Sequence, residues 1–256
     1  MKVLDRYSRQ IPVIGEEGQK KIGRTSIAVF GVGGLGTLIA RYVAGGGFKK
    51  LVLVDFDTVS IPDIHRQILY TSHDVGKPKA EVAARVLSAV NPEVEVVPVA
   101  EPISPDLADR IMSEVDIAVD ALDNWASRHV VNAAAVRKGK ALIHGAVQEW
   151  YGHVTTIIPG KTPCLEDLFG RFKALPSCAA GFCPVLGPSV GVISSLMALE
   201  VFRTALGAPA LAGKLLVVDL KHMTFDIIEI EKNPNCPVCG RARGVFDRGQ
   251  KFKEAL

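Results

Sequence analysis

The chain has 256 residues, 48% of them hydrophobic and 22% charged, with a formal net charge of +3. That balance supports one large domain with a well-buried core and argues against disorder. Its lysines and arginines form no long basic block, which disfavours nucleic acid as a partner. No apolar run is long enough to span a membrane and residues 1–6 lack the apolar centre of a signal peptide, so a cytoplasmic, membrane-free protein is expected. An odd count of five cysteines there argues for metal binding or thiol chemistry over a disulfide framework.

In chain order, residues 26–30 read as a strand that feeds, through a glycine turn, a helix over 35–44. Residues 51–54 form a second strand ending at Asp55, 79–90 a helix closed by Pro92, and 94–99 a third strand. A helix over 106–114, a strand over 115–119 ending at Asp120, a helix over 127–137 and a strand over 141–144 follow. This alternation specifies an α/β, Rossmann-like, mostly parallel sheet with helices on both faces. The pattern then changes: residues 154–158 read as a strand that turns back, and 162–188 as a long loop rich in Pro, Gly and Cys. Residues 190–204 read as an apolar helix, 215–219 and 224–230 as an antiparallel hairpin, and 241–256 as a basic, solvated tail. The expectation is a single domain over 1–256, with a helical arm at 1–25, a nucleotide-binding half at 26–150 and an irregular half at 151–240.

Gly31, Gly33, Gly34 and Gly36 lie in Gly-Val-Gly-Gly-Leu-Gly, directly after the first strand. Such a turn lets backbone approach phosphate closely and presents the free N–H groups of a helix N-terminus to an anion. Asp55, followed by Asp57, ends the next strand, where a carboxylate can accept ribose hydroxyls. The turn and Asp55 suit an NAD(P)-dependent oxidoreductase as well as an ATP enzyme. Arg66 and Lys79 after the second strand and Asp123 after the fourth separate the two. A site that breaks a triphosphate must withdraw charge from phosphorus, stabilise departing pyrophosphate and hold Mg²⁺, which calls for cations and a carboxylate. Each residue alone would pass for a surface charge; the ends of parallel strands converge on one crevice, so together they favour phosphate chemistry.

Arg6-Tyr-Ser-Arg-Gln10, Gly31–Gly36, Asp55–Val59, Arg66-Gln67, Val75-Gly-Lys-Pro-Lys79, Asp123-Asn124 and residues 187–200 occur in that order. In these motifs, spread over nearly the whole length, the chain resembles the ThiF/MoeB/HesA family, prokaryotic relatives of ubiquitin-activating enzymes. The resemblance implies ATP- and Mg²⁺-dependent adenylation of the C-terminal Gly-Gly carboxylate of a small ubiquitin-like sulfur-carrier protein. By position it implies that Asp55 binds ribose, Arg66 and Lys79 touch the phosphates, Asp123 holds magnesium and Gln67 is a polar support. Arg9 matches an arginine that reaches into the neighbouring subunit's site, which implies a homodimer. Asp63 stands where the family usually has Asn, and its extra charge near a triphosphate is unfavourable unless a metal or arginine neutralises it.

Zinc-binding members of the family use two Cys-x-x-Cys pairs. Cys236 and Cys239 match the second pair; the first reads Cys164-Leu-Glu-Asp167, with aspartate in place of a thiolate. Zn²⁺ held by Cys164, Asp167, Cys236 and Cys239 is the expectation, with residues 151–240 as the carrier-binding and zinc half. Cys178 matches a position used by relatives in acyl or persulfide chemistry; Cys183 has no counterpart in many of them. With no sulfurtransferase domain after residue 240, sulfur is expected from a separate protein. Adenylation of another carboxylate, on a peptide C-terminus or a modified tRNA base, an oxidoreductase and a non-catalytic scaffold remain as alternatives.

Overall fold

The computed structural model describes residues 6–170 and 183–240. Five parallel strands, β1 (Ser26–Phe30), β2 (Lys50–Val54), β3 (Glu95–Val99), β4 (Ile117–Asp120) and β5 (Ala141–Gln148), form the first part of the sheet. Three antiparallel strands, β6 (Tyr151–Ile157), β7 (Lys214–Asp219) and β8 (Thr224–Glu229), extend the same sheet, whose order is β3-β2-β1-β4-β5-β6-β7-β8. Every residue of β1 and β4 is buried, which is why these strands read as unbroken apolar runs.

The helices are α1 (Ile11–Ile22), α2 (Gly34–Gly46), α3 (Lys79–Val90), α4 (Pro105–Glu114), α5 (Trp125–Lys138), α6 (Leu165–Phe169) and α7 (Gly187–Ala205). They cover both faces, and the two-residue period of a strand sorts β1 between them. Ile27 and Val29 pack with residues of α2, α3 and α7, whereas Ala28 and Phe30 pack with α4 and α5. Fully burying a side chain such as Phe30 stabilises the fold by roughly 1.5–3 kcal/mol. Local signals set the helix starts: the Ser104 hydroxyl accepts from the Leu107 N–H, and Asn124 Oδ1 accepts from the Ser127 N–H.

Two expectations need correction. The segment 162–188 is not uniformly a loop, because α6 forms within it, started by Cys164 and Asp167 in a reciprocal cap. The fifth strand runs on to Gln148 and its partner begins at Tyr151, so the two make a long hairpin turning at Glu149, whose φ is +53°. Cys178 and the 241–256 tail lie outside the described residues. Among the described residues, no helix is long and apolar enough to cross a membrane.

The chain runs outward from β1 to β2 and β3, then crosses to β4 on the other side of β1. That reversal opens a crevice at the carboxyl ends of β1 and β4, where doubly wound sheets bind ligands. Phe30 and Asp120 are register partners there, so the glycine turn and the β4–α5 loop leave the sheet side by side.

Candidate active site

Gly31 has φ +88° and its N–H donates to Val54 O at 2.9 Å. A Cβ on Gly31 would come within 2.7 Å of the Ala121 carbonyl, and one on Gly36 would strike the Gly31 carbonyl. The turn is thus tight both against itself and against the β4–α5 loop. No side chain caps the N-terminus of α2 at Gly33, so its first-turn N–H groups and partial positive charge face the crevice. Asp55 sits alongside: its Oδ2 accepts from the Val32 N–H at 2.7 Å and its Oδ1 from the Asp57 N–H at 2.9 Å. Burial raises its pKa, against the pull of those two N–H groups and Lys79. The remaining lone pairs suit ribose hydroxyls.

Beside this turn the structure gathers Asp57, Asp63, Arg66, Gln67 and Lys79. Asp63 caps a short 3-10 turn (Ile61–Asp63), its Oδ2 accepting from the Ser60 hydroxyl at 2.8 Å and the Ser60 N–H at 3.0 Å. Its Oδ1 accepts from Gln67 Nε2 at 2.8 Å and Arg66 Nη2 at 3.2 Å. Lys79 Nζ lies 3.5 Å from both Asp57 and Asp63. Burial would raise the Asp63 pKa, but the Ser60 hydrogen bonds, Lys79 and Arg66 outweigh it and hold the carboxyl below its ordinary value. The extra charge expected to be unfavourable is therefore neutralised by the same cations that the site supplies. The Arg66 stem packs over Gly34, 3.5 Å from where a Cβ would stand. Arg66 also lines a cavity of about 260 Å³ with Gly34, His65, Gly187 and Pro188.

Asp123 is not in that ion-pair set. It lies exposed in the β4–α5 loop, accepting only from Asn124 Nδ2 at 3.3 Å among the described residues, so its carboxylate is open to a cation. Arg9 does not approach the glycine turn of its own chain. Its neighbours fix the arm elsewhere: Arg6 donates to Val90 O at 3.0 Å, Asn91 to the Tyr7 hydroxyl at 3.0 Å, and Gln10 to Gly46 O at 3.0 Å. Gly46 ends α2, whose 13 residues span about 20 Å, so exposed Arg9 sits a helix length from Gly34.

A second constellation unites Cys164, Asp167, Cys236 and Cys239, whose donor atoms all lie within 4.8 Å of one another. The Cys164 and Cys236 sulfurs are 3.7 Å apart, and the Cys239 thiol donates to Asp167 Oδ2 at 2.8 Å. Tetrahedral zinc with bonds of about 2.3 Å requires sulfurs about 3.8 Å apart, so the cluster fits that ion. Among the described residues Asp167 Oδ1 is buried with no hydrogen-bond partner, so this carboxylate oxygen suits a cation. Burial pushes the Cys164 and Cys239 thiols up from their ordinary range. The three cysteines pack in the core between the sheet, α5 and α6, which ties the C-terminal turn to the domain.

Sequence reasoning missed a third group. Asp120, His144 and His153 lie on β4, β5 and β6 and are linked in series, with Arg128, Trp125 and Phe169 around them. The signal was faint: Asp120 and His144 are register partners on parallel strands, which only the pairing reveals.

The family model described as "ThiF family" matches residues 7–238. The chain is 41% identical to the sulfur carrier protein adenylyltransferase of Thermus thermophilus over 249 residues, covering 93% of this chain and 91% of that protein. It is 37% identical to the SAMP-activating enzyme E1 of Haloferax volcanii, over 93% of this chain and 89% of that one. Among solved structures, E. coli MccB with ATP superposes with a TM-score of 0.83 at 25% identity, covering 92% of this chain and 74% of that chain.

Proposed function

Because this chain belongs to the ThiF family, and relatives similar over nearly their full length are a sulfur carrier protein adenylyltransferase and a SAMP-activating enzyme E1, we propose that it adenylates the C-terminal Gly-Gly carboxylate of a ubiquitin-like sulfur carrier. One observation carries this reading most: Lys79, only 8% exposed in its side chain, is held between Asp57 and Asp63 beside an uncapped helix N-terminus. A lysine so buried must be paired, and a triphosphate on the glycine turn would meet it already in place.

In the proposed reaction Asp55 orients the ribose and the α2 N-terminus takes the phosphates. The carrier carboxylate oxygen attacks the α-phosphorus, the α–β bridging bond breaks, and pyrophosphate leaves with the electron pair. Lys79 and Arg66 offset the negative charge that develops, while Asp63 and Gln67 keep both from collapsing elsewhere. Asp123 holds Mg²⁺, which supplies further charge neutralisation at the phosphates. Arg9, remote from its own site, completes that of a second copy in a homodimer. Zn²⁺ on Cys164, Asp167, Cys236 and Cys239 anchors the C-terminal turn, a structural role suited to a closed four-donor set. Cys178 acts after adenylation, when sulfur brought by a separate donor protein attacks the acyl carbon of the adenylate and AMP leaves with the electron pair of the acyl–oxygen bond.

The carrier would dock on the antiparallel half. All six residues of β8 are exposed at the sheet edge, and Phe225, Ile227 and Ile228 lie among its uncovered apolar side chains. An open edge of this kind suits strand addition by a small β-rich partner. The test is ATP–pyrophosphate exchange with candidate carriers, intact or lacking the last two glycines. Exchange only with the intact tail is expected; exchange without any carrier, or tight NAD binding without ATP binding, would overturn the reading.

A further inference from the structure

We infer that the buried chain Asp120–His144–His153, together with Arg128, is a positioning device that fixes the Asp123 loop and ties it to β6 in the antiparallel half. The inference rests on the reading that Asp123 holds Mg²⁺ at a nucleotide site.

The backbone of Leu122, immediately before Asp123, is gripped at both of its polar groups. Its N–H donates to Asp120 Oδ1 at 3.1 Å, and its carbonyl accepts from Arg128 Nη2 at 2.5 Å. Both gripping groups are themselves held. The Arg128 guanidinium lies 5.0 Å over the Trp125 ring and 3.9 Å from Asp120 Oδ1. Asp120 Oδ2 faces His144 Nδ1 at 2.7 Å, and His144 Nε2 faces His153 Nε2 at 3.0 Å. Asp120 and His144 are fully buried, and the His153 ring stacks 5.0 Å from Phe169.

Burial lowers the pKa of His144, against the pull of Asp120, and lowers that of His153 well below its usual value, which favours the neutral imidazoles. The chain then has a single consistent polarity. Asp120, an acceptor only, requires the proton of His144 on Nδ1; His144 Nε2 is left as an acceptor, so His153 must donate from Nε2. Each link therefore specifies the next, from a residue on β6 to the loop beside the glycine turn. A hydrogen-bonded path of this kind, crossing three adjacent strands, gives the half proposed to hold the carrier a mechanical hold on the half proposed to hold the nucleotide.

The test removes the last donor without removing the ring. His153→Phe keeps the aromatic contact with Phe169 but donates nothing to His144; His153→Gln restores an N–H donor. Trp125, next to the loop, reports directly in a Trp150→Phe background, since the chain has two tryptophans. Mg²⁺ is titrated into protein saturated with a non-hydrolysable ATP analogue, and Trp125 fluorescence gives the half-saturation. His153→Phe should raise that value roughly 5- to 10-fold, on the order of 1 kcal/mol, with the metal-free nucleotide affinity unchanged, and His153→Gln should recover most of it. Mn²⁺ paramagnetic resonance on the same proteins gives metal affinity independently. If His153→Phe does not fold, His153→Met, equally without a donor, is measured in its place. Half-saturation within twofold of wild type in the donor-less variant would overturn the inference alone. Wild-type protein that binds no Mg²⁺–nucleotide by calorimetry would bring down the ATP reading as well.

Discussion

Lys79 Nζ stands 3.5 Å from a carboxylate oxygen of Asp63, with both side chains less than 10% exposed. The pair has two consequences in opposite directions. Asp63 holds Lys79 and Arg66 in place, yet it also places a negative charge where phosphates are to bind.

Asp63→Asn should separate these effects. Loss of the carboxylate weakens the bonds from Ser60, Arg66 and Lys79, so chemical denaturation should show a loss of about 2–3 kcal/mol. ATP affinity by calorimetry should rise roughly 3- to 10-fold, because an opposing charge is gone. A fall in ATP affinity would mean that placing the cations outweighs the charge that Asp63 brings.

The zinc site offers a graded series. Metal analysis should find one zinc per chain, lost in Cys236→Ser with a thermal midpoint lower by roughly 10 °C. Asp167→Cys should retain zinc against chelator longer than wild type, and Asp167→Asn for less time, since thiolate is the softer ligand and amide carries no charge. Equal retention in all three proteins would remove Asp167 from the ligand set.

The parallel half was legible in the sequence because β1, β2 and β4 are buried on both faces and the glycine turn marks the first crossover. That Cys164, Asp167, Cys236 and Cys239 gather in one place was legible from spacing and resemblance together. What escaped depended on register. His144 and His153 are nine positions apart with no recognisable spacing, and they meet only because β5 and β6 pair around Glu149. Helix α6 escaped because its five residues carry no periodicity; a cap from Asp167 to the Cys164 N–H starts it. Nothing in the sequence shows Lys79 folding back on Asp63, so the pairing that offsets its charge appears only in the structure.

The same histidines set a pH dependence. Both have folded pKa values below the ordinary 6.5, so near and below that pH the unfolded chain binds protons that the native one does not. Their contribution is complete above pH 6.5 and is lost as pH falls, with a slope of as much as about 1.4 kcal/mol per pH unit for each histidine. Asp120, held below its ordinary value by His144 and Arg128 against the opposing effect of burial, adds a further loss under more acid conditions. Urea midpoints between pH 7.5 and 5 should therefore decline, and by about one proton less in His153→Phe. An unchanged slope in that variant would show that His153 stays protonated alike in both states.

Arg9 lies a helix length from its own glycine turn, so any role at an active site requires a second copy. Arg9→Ala and Asp123→Asn proteins should each be inactive in exchange, and mixing them should restore up to about a quarter of wild-type activity, since one site of a mixed dimer keeps both residues. Sedimentation as a monomer at assay concentration would exclude the arrangement.

The most direct measurement of the central claim is the intact mass of a Gly-Gly-ended carrier after incubation with this protein, ATP and Mg²⁺ in the absence of sulfur donor. An adenylate adduct on the carrier, absent with Asp123→Asn, with NAD in place of ATP, and with a carrier lacking its terminal glycines, is the predicted result. An unmodified carrier across all family types that wild-type protein binds, with ATP and Mg²⁺ both bound, would contradict the account.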